Sequence, residues 1–171
     1  MLRKTFAFAA CLAVALAAAA SNDTLLKFKG GIGVIPVSSG VGVAATAEVV
    51  NRNVVRGVPP PGQIWVIRDL RAEVKFDGRI SVRGKGLLLG GGNGIGGNAN
   101  QSVFATLICE AAAPFTLRNT NTNGVALEPN GDFRIDDVLT PAPAGCASPV
   151  LLIRNRGGAW FAAGIEDLND D

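Results

Sequence analysis

Short strand-forming runs, cut apart by glycine, proline and asparagine, fill nearly all of the chain after Ser21. They fall at 25–28, 32–37, 48–55, 64–76, 79–89, 103–110, 125–127, 133–138, 150–153 and 160–165. Apolar residues in these runs either alternate or are continuous. A helix instead needs a 3.6-residue apolar period held over about ten residues or more. The pattern therefore specifies an all-β single domain, either an antiparallel β-sandwich or a closed meander barrel. Only the stretches 43–50 and 160–168 read as short helices. Val58-Pro59-Pro60-Pro61-Gly62 reads as a stiff extended connector, since proline fixes φ and offers no amide donor.

Two turns can be read to the residue. Leu70, Ala72, Val74 and Phe76 alternate with Arg71, Glu73 and Lys75, and Ile80 and Val82 alternate with Arg79, Ser81 and Arg83. A two-residue turn at Asp77-Gly78 would oppose Phe76 to Arg79 on one face. A three-residue loop, Phe76-Asp77-Gly78 with Gly78 left-handed, instead opposes Val74 to Ile80 and Ala72 to Val82. The same construction at Pro129-Asn130-Gly131 opposes Leu127 to Phe133 and Val125 to Ile135. The run 103–110 is apolar on both faces, which predicts a central strand covered above and below. The runs at 151–153 and 160–161 read as similarly buried.

Residues 1–20, MLRKTFAFAACLAVALAAAA, have the layout of a cleaved export leader. Arg3 and Lys4 form a basic start, an apolar stretch follows, and Ala18 and Ala20 satisfy the small-x-small rule. The apolar stretch is shorter than the roughly 20 residues a membrane span needs. The expected organisation is a leader at 1–20, a β-domain at 21–165 and an acidic, fraying tail at 166–171. Localisation is expected to be secreted or periplasmic, with no membrane span after leader removal. An outer-membrane barrel is disfavoured, because aromatics make up 6% of the chain and tyrosine is absent. Asn22-Asp23-Thr24 and Asn100-Gln101-Ser102 fit the N-glycosylation pattern, which matters only in a eukaryotic host.

Leader removal leaves fourteen basic and fourteen acidic residues. Near neutrality gives no general attraction to nucleic acid or to anionic membranes. The charges are uneven, however: 21–118 carries eleven basic and six acidic residues, and 119–171 carries three and eight. Cys109 and Cys146 are then the remaining cysteines. With no CxxC and no histidine in the chain, they are expected to form a structural disulfide rather than a redox or metal site. Without histidine, Ser-His-Asp and Cys-His nucleophile systems cannot be assembled, nor can the usual hydrolytic zinc sites.

Three sets of residues could carry a function. The segment 84–97 has eight glycines in fourteen positions. Its GxGxxG match leads into another strand rather than a helix, which excludes dinucleotide binding and leaves no nucleotide cofactor expected. A backbone-lined ligand loop at Gly92, Asn93 and Gly94, with Asn98, Asn100 and Gln101 beside it, is the alternative to a plain connection. The second set is the wet face of the hairpin, where Arg71, Lys75, Arg79, Arg83 and Lys85 share parity with Glu73. Such a face could bind a glycan or another polyanion, or simply be solvated. The third is carboxylates: Asp132, Asp136 and Asp137, with Glu110 and Glu128. A pair of them would serve a glycosidase or lyase, though Asp136 and Asp137 should point to opposite faces. No metal site is expected. The overall expectation is a non-enzymatic exported binding or structural protein. A carboxylate-dependent carbohydrate-active enzyme and a self-associating or partner-bound assembly subunit are the alternatives.

Overall fold

The computed structural model describes residues 23–41 and 49–168. The expected leader, residues 43–48 of the first helix-like stretch and the last three residues of the tail lie outside the described residues. The described chain forms thirteen strands: β1 (Thr24–Gly33), β2 (Val37–Val41), β3 (Val49–Arg52), β4 (Trp65–Val66), β5 (Asp69–Lys75), β6 (Arg79–Lys85), β7 (Leu88–Leu89), β8 (Ser102–Ile108), β9 (Arg118–Asn119), β10 (Val125–Ala126), β11 (Phe133–Val138), β12 (Val150–Asn155) and β13 (Trp160–Glu166).

The main sheet runs β10-β8-β12-β13-β1-β5-β6-β11, with β9 also paired to β8, and every pairing is antiparallel. Residues of β9 and residues flanking β10 and β11 close both ends of a seam between the sheet's edges. At one end Asn119 and Thr140 exchange backbone bonds of 3.1 and 2.9 Å, and at the other the Glu128 amide donates to Asp132 O at 2.9 Å. The result is a nearly closed barrel. Strand order is not purely up-and-down. The connection from β6 to β8 passes one barrel end, and that from β11 to β12 passes the other. Two small ribbons, β2–β3 and β4–β7, stand outside the main sheet.

Alternation builds the interior. Val74 opposes Ile80, Ala72 opposes Val82, Val82 opposes Ile135, and all are buried. Gly84 opposes Phe133, and a Cβ there would sit 2.0 Å from the Phe133 ring, so one large ring fills the space of two side chains. The turn before β6 has Gly78 at φ 88°, with its amide donating to Lys75 O at 3.0 Å. The Pro129-Asn130-Gly131 turn repeats this, with Gly131 at φ 79° and a 2.8 Å bond to Glu128 O. Beyond that second turn the expected pairing does not continue as a ladder. β10 pairs with β8 and β11 with β6, and the Leu127 amide donates to Gln101 O at 2.9 Å. Val125 and Ile135 instead line a seam cavity of about 160 Å³.

The segment 53–66 forms a second layer over β12 and β13. Trp160 donates from Nε1 to Asn53 O at 2.9 Å and from its amide to Pro59 O at 3.0 Å. Trp65 stacks on Phe161 with ring centroids 4.0 Å apart. Arg56 donates to Ile108 O and Ser148 O. The proline connector therefore covers the outer wall, and β8 is buried on both faces as its sequence requires.

Neither helix expectation holds among the described residues. Val49 and Val50 belong to strand β3, and 160–166 is strand β13. The apolar run Trp160-Phe161-Ala162 is buried between β12 and β1, and pairing on both edges overrides a pattern short enough to suit either structure. The tail begins later than expected: Glu166 pairs with Phe28, and the Asp167 amide donates to Lys27 O at 2.9 Å.

Cys109 and Cys146 form a disulfide across a sequence separation of 37, joining the chain after β8 to the chain before β12. A loop of this size is worth about 4 kcal/mol on the chain-entropy account. Replacing both cysteines by serine is expected to lower the unfolding free energy by about 3–4 kcal/mol in urea titration, with the m-value rising as the unfolded chain expands.

Candidate functional site

The outer face of β1, β5, β6 and β11 follows directly from the interior alternation. With Phe28, Ala72, Val82 and Ile135 turned inward, their neighbours turn to water. Register then decides which of them meet. Lys29 lies opposite Arg71, Arg71 opposite Arg83, and Arg83 opposite Arg134. Four exposed cations therefore stand side by side in one row across four strands.

The rows on either side are mixed. Two residues along the strands, Lys27, Glu73, Ser81 and Asp136 form the next row. On the other side Asp69 opposes Lys85. Arg71 reaches Asp69 at 3.5 Å, and Arg134 pairs with Asp136 on its own strand. No ion pair joins Lys29 or Arg83 to a described carboxylate. Lys27, Lys29, Arg71, Arg83 and Ser81 line an open hollow of about 350 Å³ that also includes the carboxylates of Glu73 and Asp167.

The five cations read from the hairpin thus divide into groups. Arg71 and Arg83 belong to the row. Lys75 and Arg79 sit toward the turn, where Lys75 donates to Glu73 at 2.5 Å and to Thr24 Oγ1 at 2.9 Å, and Arg79 to Asp77 at 2.7 Å. Lys85 lies beyond the row opposite Asp69. Lys29 and Arg134 were missed by sequence reasoning. Each has the right parity, beside Phe28 and between Phe133 and Ile135, but only strand order brings them alongside the hairpin.

The glycine-rich segment is a folded connection. Its amides at Ile95, Gly96 and Gly97 donate to Gly92 O, Leu89 O and Gly94 O at 3.2, 2.8 and 3.0 Å. Asn98 donates through Nδ2 to Leu127 O and Glu128 O, holding the loop onto the β10–β11 turn. Asn98 Oδ1 accepts from the Asn100 amide, and Gln101 Oε1 accepts from Asn155. Asn93 and Gly94 are exposed at the tip. No hydrogen bond or ion pair of the described residues connects this loop to Arg71, Lys75 or Arg83.

The carboxylates apart from Asp136 and Asp137 are dispersed. Asp132 accepts from the Gly86 amide at 2.9 Å, Asp137 accepts from Asn121 at 2.8 Å, and Asp136 faces outward against Arg134. No two of Asp132, Asp136 and Glu110 line one of the described cavities, whereas Asp136 and Asp137 both line the seam cavity beside Val125 and Ile135. Glu73, Asp136 and Asp137 share a neighbouring hollow of about 390 Å³. Glu73 and Asp136 are held below the ordinary carboxylate range, Glu73 by Lys75 and then Thr24, Asp136 by Arg134 and then Ser81. A general acid needs the opposite shift. Among the described residues no group of three or more histidine, cysteine, aspartate or glutamate side chains is placed to hold a metal ion. No described helix is long and apolar enough to cross a membrane.

No family model matches this chain, and no curated protein or solved structure matches it either. The site is accordingly defined by its own geometry.

Glu110 gives a measurable acid response. Arg118 beside it, at 2.9 Å, and then the Thr116 amide lower its pKa from 4.5 to about 2. A depressed carboxylate pKa contributes stability above the unfolded value, and that contribution is lost as pH falls through the folded one. The stability difference between wild type and Glu110→Gln is expected to be constant above the unfolded value and to shrink between about pH 4.5 and 2. Urea titrations at stepped pH measure this difference.

Proposed function

We propose that this chain is an exported, disulfide-pinned β-barrel that binds anionic ligands on the outer face of β1, β5, β6 and β11. The row Lys29–Arg71–Arg83–Arg134 carries the reading. Like charges directly opposite one another on a sheet are destabilising, each pair by several tenths of a kcal/mol. Three such contacts in succession do nothing for the fold. An anion laid along the row relieves all of them together.

Export is supported by the leader read at residues 1–20 and by the Cys109–Cys146 bridge, a bond that persists in oxidising compartments. Outward charges in the middle of β5, β6 and β11 make this wall water-facing, where a membrane barrel carries an apolar band. Binding without chemistry is supported by the absence of histidine, the bridged cysteines and the lowered pKa values of Glu73, Glu110 and Asp136.

The test compares retention on a polyanionic matrix at low salt with thermal stability. Arg71→Ser/Arg83→Ser is expected to weaken retention about tenfold or more, equivalent to at least about 1.4 kcal/mol. Lys75→Ser/Arg79→Ser, whose cations are already engaged, should change it far less. Arg83→Thr should leave stability unchanged or raise it by about 0.5 kcal/mol as like-charge contacts disappear. Undiminished retention in the Arg71/Arg83 variant removes this face as the binding surface.

A further inference from the structure

Resting on that anion-binding reading, we infer that the ligand is a linear acidic polysaccharide with one carboxylate per sugar, lying across the strands along the cation row. Three geometric facts point there. The row is one residue wide, because the adjacent row contains Glu73 and Asp136 and the row on the other side contains Asp69. Those rows lie about 6.6–6.8 Å away along the strands. A ligand with two parallel lines of charge, such as a nucleic-acid duplex, would set its second line over carboxylates.

The Cα positions of the row repeat at the interstrand step, about 4.8 Å, so the row spans about 14 Å of sheet. A uronic-acid chain carries one carboxylate per ring, and its ring-to-ring step is of comparable length, so its charge per unit length matches that of the row. The planar forks of Arg71, Arg83 and Arg134 suit carboxylates, each able to give two parallel hydrogen bonds. Two of them are held in place by exposed partners, Asp69 and Asp136, and exposed pairs of this kind exchange readily because each is worth little. Ser81 and Lys27 border the hollow, where ring hydroxyls would lie.

Single-stranded nucleic acid is disfavoured by the same surface. Such ligands are gripped by exposed aromatics on which bases stack. The exposed aromatic of this hairpin is Phe76, at the turn and past Lys75, away from the row.

Length and position give the test. Oligouronates of one to six sugars are titrated against the full chain and against outer and inner variants. Affinity is expected to climb with length up to four sugars, one per cation, and then level off. Lys29→Ser and Arg134→Ser should each weaken the tetramer about tenfold and leave the dimer nearly unchanged, whereas Arg71→Ser/Arg83→Ser should abolish both. Native circular dichroism of each variant, with Lys75→Ser as a charge-matched control, separates loss of binding from loss of fold. A dimer that binds as tightly as the tetramer overturns the lengthwise polymer. Equal competition by single-stranded DNA or a sulfated chain of matched charge overturns the sugar assignment. In either case continued loss of polyanion retention in the Arg71/Arg83 variant leaves the broader anion-binding reading standing. Absence of retention of any polyanion by wild type ends both.

Discussion

The register of the β1–β5–β6–β11 ladders is the constraint on which the rest of this protein depends. A strand's side chains have period two, so a slip of one residue would exchange its buried set with its wet set. Val74 opposite Ile80, Ala72 opposite Val82 and Gly84 opposite Phe133 leave no such freedom, because the Phe133 ring fits only where Gly84 leaves its place empty. The surface then has no choice either. Once Phe28, Ala72, Val82 and Ile135 are inside, Lys29, Arg71, Arg83 and Arg134 must stand in line outside. The packing of the core and the charge pattern of the wall are one fact seen from two sides.

The remainder of the chain braces that wall. The connections that leave sequential order pass opposite barrel ends, one carrying the glycine-rich loop and the other leading to Cys146. Asn98 holds the first onto the β10–β11 turn, and the disulfide holds the second beside the end of β8. The connector at 53–66 closes the opposite wall, stacking Trp65 on Phe161 and capping the Trp160 indole. One side of the barrel is therefore covered by its own chain, and the charged side is left to water.

Local features of this architecture were legible in the sequence because they depend on near neighbours. Strict alternation through 70–76 and 79–83, with Asp77-Gly78 between them, determined the loop length and the opposed residues of one hairpin. Two apolar faces identified β8 as central, and an even pair of cysteines identified the disulfide. Features set by distant segments were not legible. The second turn has the same chemistry as the first, yet β10 and β11 find other partners and part. Trp160-Phe161-Ala162 is too short and too uniformly apolar to declare its period until β12 and β1 pair with it. Lys29 and Arg134 are far from the hairpin in sequence, and only strand order places them in its row. The glycine-rich segment looked open by composition, whereas its amides are largely spent on its own turns.

Backbone proton contacts across the charged face, measured by nuclear Overhauser effects on labelled protein, probe this account at its root. The observed register requires cross-strand contacts that pair residue 29 with 71, 71 with 83 and 83 with 134. Contacts displaced by one residue on any of these ladders would scatter the cations, break the row and contradict it.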